Sequence, residues 1–477
     1  MARSALLYVG IVGTFAAVIW LLIELGAGMP LRVLPDPAAL AAAHHAPHAE
    51  IATGNWLSLL QQRLEHPLPV LLLQIIVILT VARLFGMIAV RLGQQPVIGE
   101  IVAGIFLGPS LMGWLFPGFS AAVFPEESLK GLQALSQFGL IFFMFIIGTE
   151  LDIGKVKRHS RDAVMISHSS IALSFFLGVG LAYFTYQGYA PAGVTFLSFS
   201  LFMGISMSIT AFPVLARILR ERGLTDSPLG VLAITAAATD DLTAWCLLAA
   251  IIAIVKAGSI AGALTTFILA MGYVIFMLYV VRLQVNKWMS RYLAQNRNPH
   301  LLVSGALLVL LLSAYIAEVI GIHALFGAFT AGVVMSEQAD LRESLRQKLE
   351  DISVLIMLPV FFALTGLRTR IGLLNESEHW LLCAGITGLA IVGKFGGGTL
   401  IAKLMGRPWK ESLSIGALMN TRGLMELIVL NIGYDLGILS PEIFAMLVIM
   451  ALVTTFMTGP LLGGINRYFS ITPVPPP

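Results

Sequence analysis

The stretch VLAITAAATDDLTAWCLLAAIIAIV, residues 231–255, is largely apolar but carries Thr239, Asp240 and Asp241 in succession at its middle. It is long enough to cross a bilayer as an α-helix, which needs about 20 residues. A carboxylate at the centre of such a helix costs roughly 2.5–3.5 kcal/mol on insertion scales. Two adjacent carboxylates at this depth therefore indicate a membrane helix that holds and releases a cation or a proton.

The composition of the whole chain predicts an all-α polytopic membrane protein. Of its 477 residues, 57% are hydrophobic and 12% are charged, about half the charged fraction of a soluble protein. The net charge of +3 comes from basic residues spread over short loops, so we expect no nucleic-acid partner. Both cysteines, Cys246 and Cys383, fall in apolar helices, and we expect neither a disulfide nor a cofactor.

Hydrophobic windows predict about fourteen spans, the first at 5–27, followed by a polar loop at 28–67. The thirteen core spans that follow are 68–91, 95–115, 131–149, 163–186, 190–219, 229–256, 259–286, 298–319, 322–337, 350–367, 378–405, 409–434 and 442–466. The first span could instead be a signal peptide, but its apolar run is longer than a typical h-region, so we expect an uncleaved helix.

The connecting loops predict the orientation of these spans. From Lys155 onward, loops richer and poorer in Lys and Arg alternate along the chain. The richer loops are cytoplasmic by the positive-inside rule. We therefore expect both termini in the cytoplasm, the 28–67 loop outside, and a location in a bacterial-type inner membrane.

Two of the thirteen core helices look broken at mid-depth. Helix five is interrupted within GISMSITAFPVL, residues 204–215, where Pro213 removes a backbone donor. Helix twelve is interrupted within GALMNTRGL, residues 416–424. The breaks fall at matching positions of two six-helix halves, one to six and eight to thirteen, with helix seven between them. This order predicts two inverted repeats with crossed broken helices, and an ion site where the breaks meet.

The polar residues of this region form the candidate site. The residues expected to bind the ion or proton, with Asp240 and Asp241 as the ligands of Na+ or K+, are Thr239, Asp240, Asp241, Lys394, Thr210 and Ser208. The residues expected to act structurally beside the site are Pro213, Asn420, Thr421, Arg422 and Glu426.

Neighbouring side chains on a helix point roughly 100° apart, so Asp240 and Asp241 cannot hold one ion symmetrically. We expect one to face the cation path and the other a neighbouring helix.

For Lys394, inside helix eleven, we expect a salt bridge to Asp240 that is made and broken during exchange. The alternatives are a purely structural Asp240–Asp241 pair bonded to helix ends, and a Lys394 that snorkels to the cytoplasmic side.

Other charged residues within or near the spans have simpler interpretations. Arg422 and Glu426 are four residues apart, so we expect an intrahelical pair that stabilises the broken helix. For Glu100 we expect a structural role, in which its carboxylate balances charge at a point where helices pack together. Glu318 and His323 flank Gly321 in a short external turn, where we expect their side chains to contact water.

Several runs together resemble one family. They are PVIGEIVAGIFLGPS (96–110), SMSITAFPVLARIL (206–219), AITAAATDDLTAW (233–245), GIHALFGAFTAGVVM (321–335) and NTRGLMELIVLNIG (420–433). The chain resembles the second branch of the monovalent cation:proton antiporter superfamily, close to the plant cation/H+ exchangers and their bacterial relatives. The resemblance implies the sodium/proton antiporter fold and a homodimer in membrane lipid.

The resemblance also implies a division into domains. It comprises an N-terminal helix and loop (1–67), a dimerisation domain (68–150 and 298–370), a mobile core that carries the ion (151–257 and 371–477) and a linker helix (258–297).

The ion-carrying aspartate of the resembled family matches Asp241. Its electrogenic members have a second aspartate before it, as Asp240 here, and a lysine that matches Lys394. The resemblance thus implies electrogenic exchange of Na+ or K+ for H+ by alternating access. Sodium-selective relatives carry an acidic residue on the broken helix, where this chain has Thr210–Pro213, so the ion stays open. We expect no regulation by a nucleotide-sensing domain like that of the glutathione-gated potassium efflux systems, or by a long tail like that of the plant exchangers.

Three other functions remain as alternatives. A proton-uncoupled or gated K+ efflux pathway could use the same scaffold. An intramembrane aspartyl protease needs two carboxylates that face each other, which adjacent residues on one helix do not provide, and the chain has no GxGD run. A sugar or organic-anion carrier fits an inverted repeat but not the motifs. We therefore expect a transporter and no enzymatic activity.

Overall fold

The computed structural model describes residues 67–125, 128–150, 160–225, 227–257, 260–294, 299–336 and 339–471, and every regular element within these ranges is helical. The predicted first span at 5–27, nearly all of the 28–67 loop and the basic residues from Lys155 to Arg158 lie outside them.

The long helices are numbered α1 to α13 along the chain, and the two that are interrupted have halves a and b. They are α1 Pro67–Arg91, α2 Pro96–Leu107, α3 Leu129–Glu150, α4 Ser160–Tyr189, α5a Phe196–Ser206, α5b Phe212–Glu221, α6 Pro228–Ala257, α7 Ile260–Ala294, α8 Pro299–Ile320, α9 Ala324–Met335, α10 Ala339–Arg368, α11 Ser377–Leu404, α12a Trp409–Met419, α12b Leu424–Asp435 and α13 Pro441–Ile471.

Three of these helices contain a π-helical turn, and short helices fill two loops. The π turns are Met277–Val281 in α7, Ser353–Met357 in α10 and Val392–Gly396 in α11. The short helices are Met112–Leu115 and Pro117–Val123 after α2, and a 3₁₀ turn at Ile371–Leu373.

The expected membrane architecture is confirmed. Within the described ranges, eleven helical segments are long and apolar enough to cross a bilayer, and α5a and α9 are shorter apolar helices. Each of the thirteen predicted core spans overlaps one of the numbered helices. The total number of spans and the inverted repeat stay predictions.

Both predicted breaks are present. Helix five is unwound between Ser206 and Phe212. Pro213 lies in the first turn of α5b, where a backbone N–H would have no intrahelical acceptor, so the absence of its N–H costs no hydrogen bond. Helix twelve is open between Met419 and Leu424. The backbone N–H of Ala211 donates to the carbonyl of Thr421 at 2.9 Å, so the two unwound segments bond directly to each other.

The helices pack in two groups. Helices α1–α3 pack mainly against α8–α10, and α4–α6 against α11–α13. Glycines permit the closest approaches within each group: a Cβ on Gly148 of α3 would overlap the Phe329 carbonyl of α9, and one on Gly178 of α4 would meet Gly204 of α5a at 2.8 Å. These groups contain the helices of the expected dimerisation and core domains, and that functional division stays a prediction.

Candidate ion-binding site

A buried ion pair lies at the centre of the second group. Lys394 Nζ is 3.0 Å from each carboxylate oxygen of Asp240, and both side chains are fully buried. The alternative in which Lys394 snorkels to the cytoplasmic side is therefore wrong. Lys394 lies in the π-helical turn of α11, a distortion that is frequent at functional sites. Its neighbour Gly393 lies against Ser174 of α4 so closely that a Cβ would collide with it.

Asp240 has further partners on two other helices. Its Oδ2 accepts the backbone N–H of Thr210, in the break of helix five, at 2.8 Å. Its Oδ1 accepts from Ser167 Oγ of α4 at 3.3 Å, and Ser170 Oγ lies 3.5 Å from Lys394 Nζ. Both oxygens of this carboxylate are therefore engaged by charge-assisted hydrogen bonds.

Asp241, the next residue, is in the opposite situation. Its side chain is buried, and neither of its oxygens has a hydrogen-bond partner within the part of the chain that the structure describes. The backbone N–H of Phe212, at the start of α5b, faces this carboxylate outside hydrogen-bond geometry. A buried polar group without partners is costly. Asp240 is thus the carboxylate that faces neighbouring helices, as expected for one of the two. That Asp241 faces the cation path stays a prediction.

The ends of the broken helix carry charges of opposite sign. At the C-terminal end of α5a, Arg422 donates from Nη1 to the Ser206 carbonyl at 3.0 Å and from Nη2 to the Met207 carbonyl at 2.7 Å. At the N-terminal side of α5b, the amide of Thr210 meets the carboxylate of Asp240. A cation at a helix C-terminus and an anion at an N-terminus are both the favourable arrangement for the helix dipoles.

The expected Arg422–Glu426 pair is present, with Nη1 and Oε1 3.2 Å apart and both side chains fully buried. In addition to this predicted pair, Arg422 joins helix twelve to the end of α5a. Sequence spacing could not show this contact, since Arg422 and Ser206 are 216 positions apart.

The hydroxyls of the candidate site donate to backbone carbonyls. Thr239 Oγ1 bonds to Thr235 at 2.8 Å within α6, Ser208 Oγ to Gly204 at 2.6 Å, and Thr210 Oγ1 to Met419 of α12a at 2.7 Å. Of these three, Thr210 contacts both Asp240 and the second break.

Helix twelve contributes two further candidates at its break. Thr421 Oγ1 lies 3.4 Å from Thr458 Oγ1 of α13. The side-chain amide of Asn420 is buried without a hydrogen bond to any described residue.

Sequence reasoning missed Ser167 and Ser170 on α4. The only signal for them is the polar run SHSS, residues 167–170, within an otherwise apolar helix. Glu318 and His323 lie at the turn between α8 and α9, where Glu318 pairs with Lys256 at 3.4 Å and accepts the Ala324 N–H. Glu100 is buried on α2.

The buried pair makes a prediction for stability. Changing Lys394 to Met leaves a buried carboxylate without its counter-charge, and we expect a loss of about 3–5 kcal/mol in the free energy of unfolding. The double variant Lys394→Met/Asp240→Asn removes both charges and should recover much of this loss. Thermal or denaturant unfolding in detergent measures both. Lys403→Met, at a half-exposed position on the same helix, is the matched control. A Lys394→Met protein as stable as this control would contradict the prediction.

Comparison with known proteins gives the same architecture. The profile of the transmembrane sodium/hydrogen exchanger family matches residues 76–465. The solved sodium proton antiporter MjNhaP1 of Methanocaldococcus jannaschii superposes with a TM-score of 0.62 over 85% of this chain and 99% of its own. Its sequence is 16% identical, so this likeness concerns the fold.

Two relatives are much closer in sequence. The Na(+)/H(+) antiporter NhaS4 of Synechocystis is 43% identical over 392 residues, which cover 82% of this chain and 96% of that protein. The cation/H(+) antiporter 17 of Arabidopsis thaliana is 40% identical over 87% of this chain, which spans about half (51%) of that longer relative. With the matched profile and these identities, the chain belongs to the sodium/hydrogen exchanger family of transmembrane proteins.

Proposed function

We propose that this chain is a secondary active transporter that exchanges Na+ or K+ for H+ across a membrane, with Asp241 as the shared carrier of cation and proton. The observation that carries the proposal is the contrast at the site. Asp241 is buried without a hydrogen-bond partner among the residues that the structure describes, whereas the carboxylate of Asp240 is bonded to Lys394 and to the Thr210 amide. The names of the two closer relatives, a sodium/proton and a cation/proton antiporter, support the same exchange.

The charges at the site suit a monovalent ion. Lys394 neutralises Asp240 across 3.0 Å, so Asp241 leaves about one unit of negative charge for a ligand. One proton or one alkali cation balances that charge. Because the same carboxylate takes either but not both, the two ions compete, and this competition couples their movements. A divalent ion such as Ca²⁺ is bound by six to eight oxygen ligands, which is more than the one unpaired carboxylate of Asp241 provides.

The ion pair provides a route to electrogenic exchange. A cation bound at Asp241, next to Asp240, would weaken the attraction between Asp240 and Lys394, and the lysine could then release its proton. Together with the proton displaced from Asp241, more than one proton would move for each cation. Asp240 and Lys394 are therefore the residues on which the charge imbalance depends.

Alternating access requires the two helix groups to move relative to each other. At one face, Arg368 of α10 binds Asp435 of α12b at 3.0 Å and Asn431 at 2.9 Å, and Gln133 of α3 donates to Asp435 at 3.1 Å. We infer that these contacts, named here the Arg368 latch, hold that face closed. In the orientation that we expect from the positive-inside rule, this face is outside.

We extend the proposal to the whole assembly. The chain would form a homodimer through the first helix group, in a bacterial-type inner membrane with both termini in the cytoplasm and lipid around it. It would have no enzymatic activity.

Asp241→Asn tests the carrier. An amide does not take up a proton near neutral pH and binds cations weakly, so we expect exchange to fall to the background of empty liposomes. The measurement is dye-reported proton flux in proteoliposomes after pulses of Na+ or K+ at several pH values. Asp351→Asn, an exposed carboxylate on α10, should retain wild-type exchange. Exchange by the Asp241→Asn protein at the wild-type rate would show that Asp241 is not the carrier. Cation flux without proton flux in the wild type would favour the alternative, the proton-uncoupled efflux pathway.

Electrogenicity is tested by voltage. We expect an imposed membrane potential to change the exchange rate of the wild type, because net charge crosses in each cycle. In Lys394→Met/Asp240→Asn the rate should lose this dependence, since one titratable pair is gone. If the membrane potential does not change the exchange rate of the wild type, Lys394 and Asp240 do not make the exchange electrogenic.

The Arg368 latch predicts a change in accessibility. Charge-assisted hydrogen bonds contribute about 1.5–3 kcal/mol each, so Arg368→Ala should favour the open state by about tenfold or more. The reporter is a cysteine at Ser136, which is buried on α3 beside the latch, in a protein with Cys246 and Cys383 changed to Ser. The rate of labelling by a membrane-impermeant maleimide should rise.

The matched control for the latch is Arg370→Ala, an exposed arginine two residues away. It should leave the labelling rate of the Ser136→Cys reporter unchanged. Equal labelling of the Arg368 and Arg370 variants would show that the latch does not restrain this face.

A further inference from the structure

A cavity of about 250 Å³ lies between α6, α7 and α9, outside the ion site. Its walls are almost entirely apolar, with alanines on the α6 side and aromatic side chains on α7 and α9. Thr330 carries the only hydroxyl in the lining, and that hydroxyl already donates to the Phe326 carbonyl at 2.8 Å. Water needs two to four polar partners to occupy a cavity, and this one offers almost none. The occupant that fits is therefore apolar.

The cavity is continuous with the outer surface of the protein. Phe267 and Met271 of α7 line it, and their side chains are 54% and 47% exposed. Leu242 of α6 also lines it and is 39% exposed. In a membrane protein, exposed apolar side chains of this kind face lipid. The cavity therefore opens toward the hydrocarbon of the bilayer rather than toward solvent.

The length of the cavity matches one leaflet. Its α6 wall runs from Leu242 to Ala253, which is about 16 Å at 1.5 Å per residue. The hydrocarbon core of a bilayer is about 30 Å thick, so one leaflet contributes about half of that. Lys256 is less than one turn beyond Ala253 and is partly exposed, so we expect the headgroups to begin near it.

We propose that this cavity binds one acyl chain of a phospholipid from the leaflet at the Lys256 end of α6. The apolar walls, the opening toward lipid and the length of one leaflet together specify a chain rather than a compact solute. A bound chain would pack on α6 beginning at Leu242, the residue next to Asp241, and would contact α9 of the other helix group. It would thus fill the gap between the two groups on one side of the ion site.

Photocrosslinking in nanodiscs tests the proposal on the full chain. The discs contain phosphatidylethanolamine and phosphatidylglycerol, with a fraction of phospholipid that carries a diazirine at mid-chain. We expect adducts on the cavity side of α6, at Ala249 and Ala250, in addition to those on the outer face of α7. Peptide mass spectrometry locates them.

Two tryptophan variants on α7 form a matched pair. Ala270→Trp projects into the cavity, because Ala270 lines it, and should abolish the α6 adducts. Ile268→Trp, two residues away, is 61% exposed and not part of the lining, and should keep them. Ala250→Phe fills the cavity from α6 and replaces Ala270→Trp if that protein does not fold, as judged by gel filtration and melting temperature.

Three results would overturn the proposal. The first is adducts confined to outward side chains such as Ile268, with none on the α6 wall. The second is α6 adducts that persist when the cavity is filled. The third is adducts lost equally in Ala270→Trp and Ile268→Trp, which would mean a general change at the lipid surface.

Discussion

The ion pair between Lys394 and Asp240 is the interaction on which the rest of the site depends. Removing an ammonium and a carboxylate from water costs several kcal/mol for each ion, and their attraction offsets this only with good geometry and further hydrogen bonds. The fold provides both, since Lys394 Nζ lies 3.0 Å from each oxygen and Thr210 and Ser167 donate to the same carboxylate. Asp240 is thus paired, whereas Asp241 has no hydrogen-bond partner among the described residues, and the proposed ion competition rests on that contrast.

The two broken helices make this arrangement possible inside a membrane. Unwound backbone is tolerated at that depth only where protein or a cavity satisfies it. Here the breaks satisfy each other through the Ala211–Thr421 bond, and charged side chains complete the ends. Arg422 binds the carbonyls at the end of α5a, and Asp240 receives an amide ahead of α5b. The unwound segments are therefore held by charges that also belong to the site.

The boundary between the two helix groups has a polar contact and a cavity that the close glycine contacts within each group lack. Inside each group, glycines let backbones touch, as Gly148 does with α9 and Gly178 with α5a. Between the groups, the polar Arg368 latch and the apolar cavity beside α6 lie next to a buried apolar core to which both groups contribute. Polar contacts can exchange with water and a lipid-filled gap can deform, whereas close-packed glycines resist separation. This contrast suits a protein in which one group moves against the other.

The amino-acid sequence by itself determined the membrane architecture, the two breaks and the functional pair. Long apolar segments can only span a bilayer as helices, Pro213 interrupts one of them, and carboxylates at mid-depth are too costly to be incidental. It also pointed to Lys394, because a lysine inside an apolar helix needs a counter-charge. The partner predicted for Lys394 was Asp240, and the structure contains that pair. Only the tertiary structure shows that Lys394 contacts both oxygens of Asp240, that Ser167 and Ser170 assist, and that Arg422 reaches α5a. Asp240 and Asp241 share the same local sequence, and their partners lie up to 154 positions away on other helices. Their roles differ because side chains about 100° apart on α6 meet different neighbours.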